Sequence, residues 1–168
     1  MKAGNVTRTK GGMHRAATLR RISPEIRATR QDAWGVLGDI TSMTAWAPGV
    51  IRVDIVTDGR KAAGVGATRI VVFDDGRSIR ERVTSWDDGR GFSYAATDGL
   101  PLSLYAATLA IGEAPGGDRI QITWESSLEG KGMTEGEFAG LLAEMGRFYE
   151  ESLANLKRLL EPGASCRE

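Results

Sequence analysis

The chain has 168 residues, its 22 lysines and arginines are balanced by 22 aspartates and glutamates, and it holds one histidine and one cysteine. That balance gives no positive field for nucleic acid and no acidic tract, while the lone His14 and Cys166 exclude an internal disulfide and a multi-histidine metal site. No stretch approaches the ~20 apolar residues of a membrane span and no secretory signal opens the chain, so a soluble, cytoplasmic protein with one core is expected, with neither metal nor cofactor.

Residues 1–12 are polar, include Lys2, Arg8 and Lys10, and lack apolar periodicity; they read as a disordered leader, with Met13 an alternative start. A single domain over 13–161 and a tail over 162–168 follow. His14 to Glu25 alternates loosely and predicts a first strand, with His14 an ordinary exposed residue at its edge rather than a member of a triad. Thr29 followed by Asp32 is a capping signal for a short helix carrying Trp34, Leu37 and Ile40, and Trp34 sits at a core spacing. Asp39 to Trp46 gives a further helical turn or two, ended by Pro48-Gly49.

From Val50 the apolar period becomes two. Strands are expected over 50–57, 66–73, 77–86, 91–97, 102–111 and 119–128. Asp58-Gly59-Arg60, Asp74-Asp75-Gly76, Asp87-Asp88-Gly89-Arg90, Asp98-Gly99 and Pro115-Gly116-Gly117 supply turns between them. Connectors this short imply an antiparallel meander. Thr134 and Glu137 form a second capping box, and Phe138, Leu141, Leu142, Met145, Tyr149, Leu153, Leu156 and Leu160 recur at helical spacing up to Pro162. Such a helix of some 26 residues measures about 39 Å and can cross a whole sheet.

A charged pair can be placed within this pattern. A hairpin closed by the three-residue loop Asp74-Asp75-Gly76 sets 73 opposite 77, 71 opposite 79 and 69 opposite 81. Arg69 then shares a face with Val71 and Phe73, and Glu81 with Ile79 and Val83, so both charges point with the apolar set and demand each other as partners. A slip of one residue, which the neighbouring Arg77, Arg80 and Arg82 would tolerate, instead leaves a surface contact worth about 0–1 kcal/mol.

The order of elements is that of the helix-grip fold: α+β, with a seven-stranded curved antiparallel sheet around a long C-terminal helix and two short helices after strand 1. Ala33-Trp34-Gly35-Val36-Leu37-Gly38-Asp39 with Trp46-Ala47-Pro48-Gly49-Val50, then Gly64-Val65-Gly66-Ala67-Thr68-Arg69, Glu81-Arg82-Val83, Tyr94 followed by Gly99-Leu100-Pro101, and Ile122-Thr123-Trp124 stand in an order and spacing that carry a resemblance. By them the chain resembles the polyketide cyclase and dehydrase branch of the SRPBCC superfamily, related to START lipid-transfer domains, the birch-pollen allergen group and plant abscisic-acid receptors. The resemblance implies an apolar cavity between sheet and helix, entered near the second short helix and the strand loops. Ala139, Gly140, Ala143 and Gly146, read as facing the sheet, either leave room for that cavity or allow close backbone packing.

Trp46, Phe92, Tyr105, Trp124 and Met145 are candidates to line the cavity, since aromatic groups suit a planar or polycyclic ligand; for Trp124 core packing is the competing role. Arg69, Glu81 and Tyr94 are candidates for chemistry. Arg69 would stabilise an enolate while Glu81 or Tyr94 moves a proton, or Arg69 would grip a ligand carboxylate, or the pair would only fix strand register. The functional reading is thus binding of a hydrophobic or aromatic small molecule, with polyketide-type cyclisation or dehydration by acid–base chemistry, against the alternative of a non-enzymatic carrier or sensor. Oligomeric state is left open.

Overall fold

The computed structural model describes residues 6–9, 12–56 and 62–162. The turn at Asp58-Gly59-Arg60, most of the tail and Cys166 lie outside the described residues.

Eight strands form one antiparallel sheet: β1 (Val6–Thr9), β2 (Gly12–Ile22), β3 (Val50–Ile55), β4 (Thr68–Phe73), β5 (Ser78–Asp87), β6 (Gly91–Asp98), β7 (Leu104–Glu113) and β8 (Ile120–Lys131). They lie in the order β1-β2-β8-β7-β6-β5-β4-β3, so β3 to β8 are a meander and β2 returns to pair with β8. The seven expected strands are β2 to β8. β1 is an addition, placed by main-chain pairing of Val6 with Arg15 and Thr9 with Gly12 inside the segment read as a disordered leader. Backbone pairing at a sheet edge requires no apolar alternation, which is why the sequence pattern did not show it.

Helix α1 (Arg30–Leu37) opens on the Thr29–Asp32 capping box, and a 3₁₀ turn at Ser42–Ala45 takes the place of the second short helix. The long helix α2 (Glu135–Leu160) starts at Thr134, whose hydroxyl accepts from the Glu137 amide at 3.2 Å while the Glu137 carboxylate accepts from the Thr134 amide at 2.7 Å. It lies over β2 and β8, with Phe138, Tyr149, Ser152, Leu153 and Leu156 buried.

One expectation for α2 fails. Ala139, Gly140 and Ala143 are exposed, and of the four small residues only Gly146 is buried. At ~100° per residue the other three lie well round the helix from the Phe138–Tyr149–Leu156 stripe. They do not make the room beneath the helix.

Alternation holds along the sheet. In β8, Ile120, Ile122, Trp124, Ser126 and Leu128 all face inward, and in β7 Tyr105, Ala107, Leu109 and Ile111 join them. Gly99, in the β6–β7 connection, has φ +93° and a backbone so close to β5 that a Cβ would stand 2.1 Å from the Ser78 carbonyl oxygen, so only glycine fits there.

Candidate functional site

The hairpin register places the charged pair. Gly76 takes φ +86°, the Phe73 amide donates to the Arg77 carbonyl at 2.9 Å, and Arg69 stands opposite Glu81. Both side chains are buried, 4% and 7% exposed, which settles the register against the one-residue slip. Arg69 Nε donates to Glu81 Oε2 at 2.8 Å and Nη1 donates to the Ile40 carbonyl at 2.7 Å. Nη2 also lies 2.8 Å from Oε2, as an ion-pair contact without hydrogen-bond alignment. Both carboxylate contacts therefore fall on one oxygen. The guanidinium sits 5.1 Å from the Tyr94 ring centroid and 5.9 Å from that of Phe92, where the ring faces add to its stabilisation. Burial pushes the Glu81 carboxyl above its ordinary 4.5, and the attraction of Arg69 offsets this only in part.

Beside the pair runs a chain of buried hydroxyls drawn from β6, β7, β8 and α2. Trp124 Nε1 donates to the Tyr94 hydroxyl at 3.0 Å, the Tyr94 and Tyr105 hydroxyls are 3.4 Å apart, those of Tyr105 and Tyr149 are 2.5 Å apart, and Tyr149 donates to Ser126 Oγ at 3.0 Å. Trp124 stacks on Tyr149 at 4.1 Å, the ring planes 6° apart. Burial raises Tyr94 and Tyr105 well above 10 and pushes Tyr149 up to about 12. All three are neutral phenols at physiological pH.

These groups border a cavity of about 340 Å³ between the sheet and the N-terminal half of α2. Glu81, Tyr94, Tyr105, Trp124 and Tyr149 form its inner wall; Met43, Val71, Ile79, Leu100 and Phe148 supply apolar surface. Arg77 and Glu144, 3.6 Å apart and both exposed, are the charged groups at its rim. A volume of this size and lining suits a small apolar ligand held by a few polar contacts.

Of the candidates read from the sequence, Glu81, Tyr94, Tyr105, Trp124 and Met145 border the cavity. Arg69, Trp46 and Phe92 stand behind its wall. Arg69 is occupied by Glu81 and Ile40. Trp46 packs edge-on against Trp124 at 5.9 Å, and Phe92 packs between Trp86 and Tyr94. Tyr149 and Phe148 belong to the lining and were missed, Tyr149 because its helical spacing reads as core. The signal that could have found it is polarity: a phenol on an otherwise apolar stripe needs a buried partner. Trp34 is half-buried, its indole donating to Asp88 at 3.2 Å, and His14 is exposed beside Glu129. Among the described residues no His, Cys, Asp or Glu cluster could hold a metal ion, and no helix is long and apolar enough to cross a membrane.

Comparison with known proteins agrees with this architecture. The protein XoxI from Bacillus cereus is similar at TM-score 0.68 and 17% identity, over 88% of this chain and 94% of that one. A putative uncharacterized protein from Bacillus thuringiensis matches at TM-score 0.70 and 20% identity, over 86% and 98%. A solution structure from Thermobifida fusca matches at TM-score 0.70 and 21% identity, over 90% and 97%. At such identities the likeness is one of fold. No curated protein matches the sequence. The family described as polyketide cyclase/dehydrase and lipid transport matches residues 20–161, nearly the whole domain, and the chain belongs to that family.

Proposed function

We propose that the protein binds an apolar or aromatic small molecule in the cavity beneath α2. The observation that carries this reading is the placement of polarity: aliphatic and aromatic surface makes up most of the wall, while one carboxylate and three phenols converge at its inner side. Such an arrangement gives affinity through apolar burial and orientation through few hydrogen bonds. Calorimetric titration with a naphthalene derivative should give one saturable site, and filling the cavity by Met145→Trp should abolish it. Native mass spectrometry of protein purified from its own host would identify a retained molecule. No saturable binding by the wild type, or binding that survives the filled cavity, refutes the reading.

A second reading adds acid–base chemistry, and one observation favours it over a simple carrier. Glu81 is a cavity-wall carboxylate whose proton affinity is raised by burial, the property wanted of a general base working near neutral pH. Its carboxylate would take an α-proton from a bound ketone, leaving the electron pair in an enolate whose oxygen accepts a hydrogen bond from a neutral phenol. Arg69 would act through Glu81 as a positioning residue. Exchange of the α-hydrogens of β-tetralone in deuterium oxide, followed by NMR, should proceed with the wild type and stop in Glu81→Gln. Binding of β-tetralone without any exchange supports the carrier reading.

A further inference from the structure

Resting on the proposed binding of a small molecule in this cavity, we infer that the cavity is selective for uncharged ligands presenting a hydrogen-bond acceptor, such as a ketone oxygen, to the Tyr94 hydroxyl. Two independent sets of observations lead there.

The first is where the hydroxyl hydrogens go. Tyr149 gives its hydrogen to Ser126 Oγ, so in the 2.5 Å contact the Tyr105 hydroxyl is the donor and Tyr149 the acceptor. Tyr105 has then spent its only hydrogen. Tyr94 already accepts from Trp124 Nε1, and its own hydrogen has only the Tyr105 oxygen at 3.4 Å, far beyond the ~2.7–2.8 Å usual between hydroxyls. The chain is polarised toward Ser126, and the under-used donor is at its Tyr94 end. Tyr94 borders the cavity. A ligand oxygen placed there would supply the acceptor that the protein does not.

The second is the state of the charges around the cavity. Three charged side chains among the described residues line it: Glu81, Arg77 and Glu144. Glu81 is matched by Arg69 behind the wall, at 2.8 Å. Arg77 stands between Asp75 at 2.6 Å and Glu144 at 3.6 Å. No lining cation is left to meet a carboxylate, and an anion carried inward would be desolvated next to the carboxylate of Glu81. A buried charge without a partner is far costlier than a buried carbonyl with one donor. An ammonium fares no better inside, since the one buried carboxylate of the lining, Glu81, is already held by Arg69; Glu144, which shares Arg77 with Asp75, stands exposed at the rim.

Three probes of one shape separate these statements: methyl naphthyl ketone, ethylnaphthalene and naphthoate, titrated near neutral pH into the whole chain by calorimetry. The ketone should bind roughly two- to tenfold more tightly than ethylnaphthalene, the span of one net hydrogen bond, and naphthoate should bind at least about tenfold more weakly than the ketone. In the infrared, the carbonyl stretch of the bound ketone should move to lower frequency, and Tyr94→Phe should remove that shift together with the ketone's advantage over ethylnaphthalene. Naphthoate binding as tightly as the ketone overturns the charge selectivity. Equal affinity for ketone and ethylnaphthalene in the wild type, a comparison that requires no variant, overturns the role of Tyr94, as does a carbonyl shift that persists in Tyr94→Phe. If none of the three binds, the cavity reading itself fails and this inference with it; ethylnaphthalene binding alone would sink only the inference.

Discussion

From Tyr149 to Leu160, α2 buries Tyr149, Ser152, Leu153 and Leu156, and its polar side chains reach back to the rest of the fold. Asn155 donates to the Trp46 carbonyl at 2.9 Å and Lys157 to the Glu25 carbonyl at 2.7 Å. From Glu135 to Phe148 the same helix buries only Phe138 and Gly146, while Leu141, Met145 and Phe148 face a cavity instead of the sheet. One half clamps and the other roofs. The halves also differ in what lies beneath: under the roof the void is bordered by Glu81 of β5, Tyr94 of β6 and Tyr105 of β7, and the one loose contact of the phenol chain, Tyr94 to Tyr105 at 3.4 Å, lies there.

The sharpest way to break this comparison is to disturb the ground under the roof. Arg69→Met leaves Glu81 buried without its cation, and breaking a buried pair in this way costs about 3–5 kcal/mol. The sign with pH follows from Glu81. Its carboxyl already titrates above 4.5 in the folded state, so the native state holds a proton that the unfolded chain has lost, and stability falls as pH rises through that window. Removing Arg69 removes a cause that lowers the Glu81 pKa, so the window widens upward. Urea melts should therefore show a deficit for Arg69→Met that shrinks toward pH 4.5 and grows toward neutrality. A deficit independent of pH would mean that Glu81 is not the group left unpaired.

A smaller contrast lies within α2. Leu153→Ala, in the clamp, should cost about 2–5 kcal/mol because the surrounding packing cannot collapse into the space. Met145→Ala, on the cavity wall, should cost less than about 2 kcal/mol, since it enlarges a void already present, and should change probe affinity more than stability. Equal losses of stability with unaltered binding would erase the distinction between clamp and roof.

How much of this was legible beforehand differs by residue. The Arg69–Glu81 register could be read because one glycine-closed loop fixes which residues oppose and a period of two fixes which way they point. Both capping boxes of the helices were equally local. Cavity lining was not. Trp46 and Phe92 are candidates for the lining by their aromatic character alone, yet they stand behind the wall, because which inward side chain meets the void depends on sheet curvature and on where along its length α2 lifts away. The outward placement of Ala139, Gly140 and Ala143 is a matter of helical phase, set by which stripe wins burial, and Phe138, Tyr149 and Leu156 outweigh small residues in that competition. β1 carries no side-chain signal at all.

The smallest expected effects come from two glycines six residues apart on α2. At Gly140 a Cβ would meet nothing within 4 Å, whereas at Gly146 it would stand 2.7 Å from Arg21 Nη2. Both lie inside the helix, where glycine is less favourable than alanine by roughly 0.8–1 kcal/mol. Gly140→Ala should therefore raise stability by up to about 1 kcal/mol, with no compensating clash. At Gly146 the same gain must be set against moving the Arg21 side chain, which is held by Glu150 at 2.5 Å on the next turns of the helix. Arg21 is long and 35% exposed, so it can swing away, losing an ion pair worth about 0–1 kcal/mol. Gly146→Ala should then come out near neutral in thermal melts, and the two substitutions together should add, since their sites share no neighbour within 4 Å. A stabilising Gly146→Ala paired with a destabilising Gly140→Ala would reverse the assignment of which of these two faces of α2 is turned to the sheet and which to solvent.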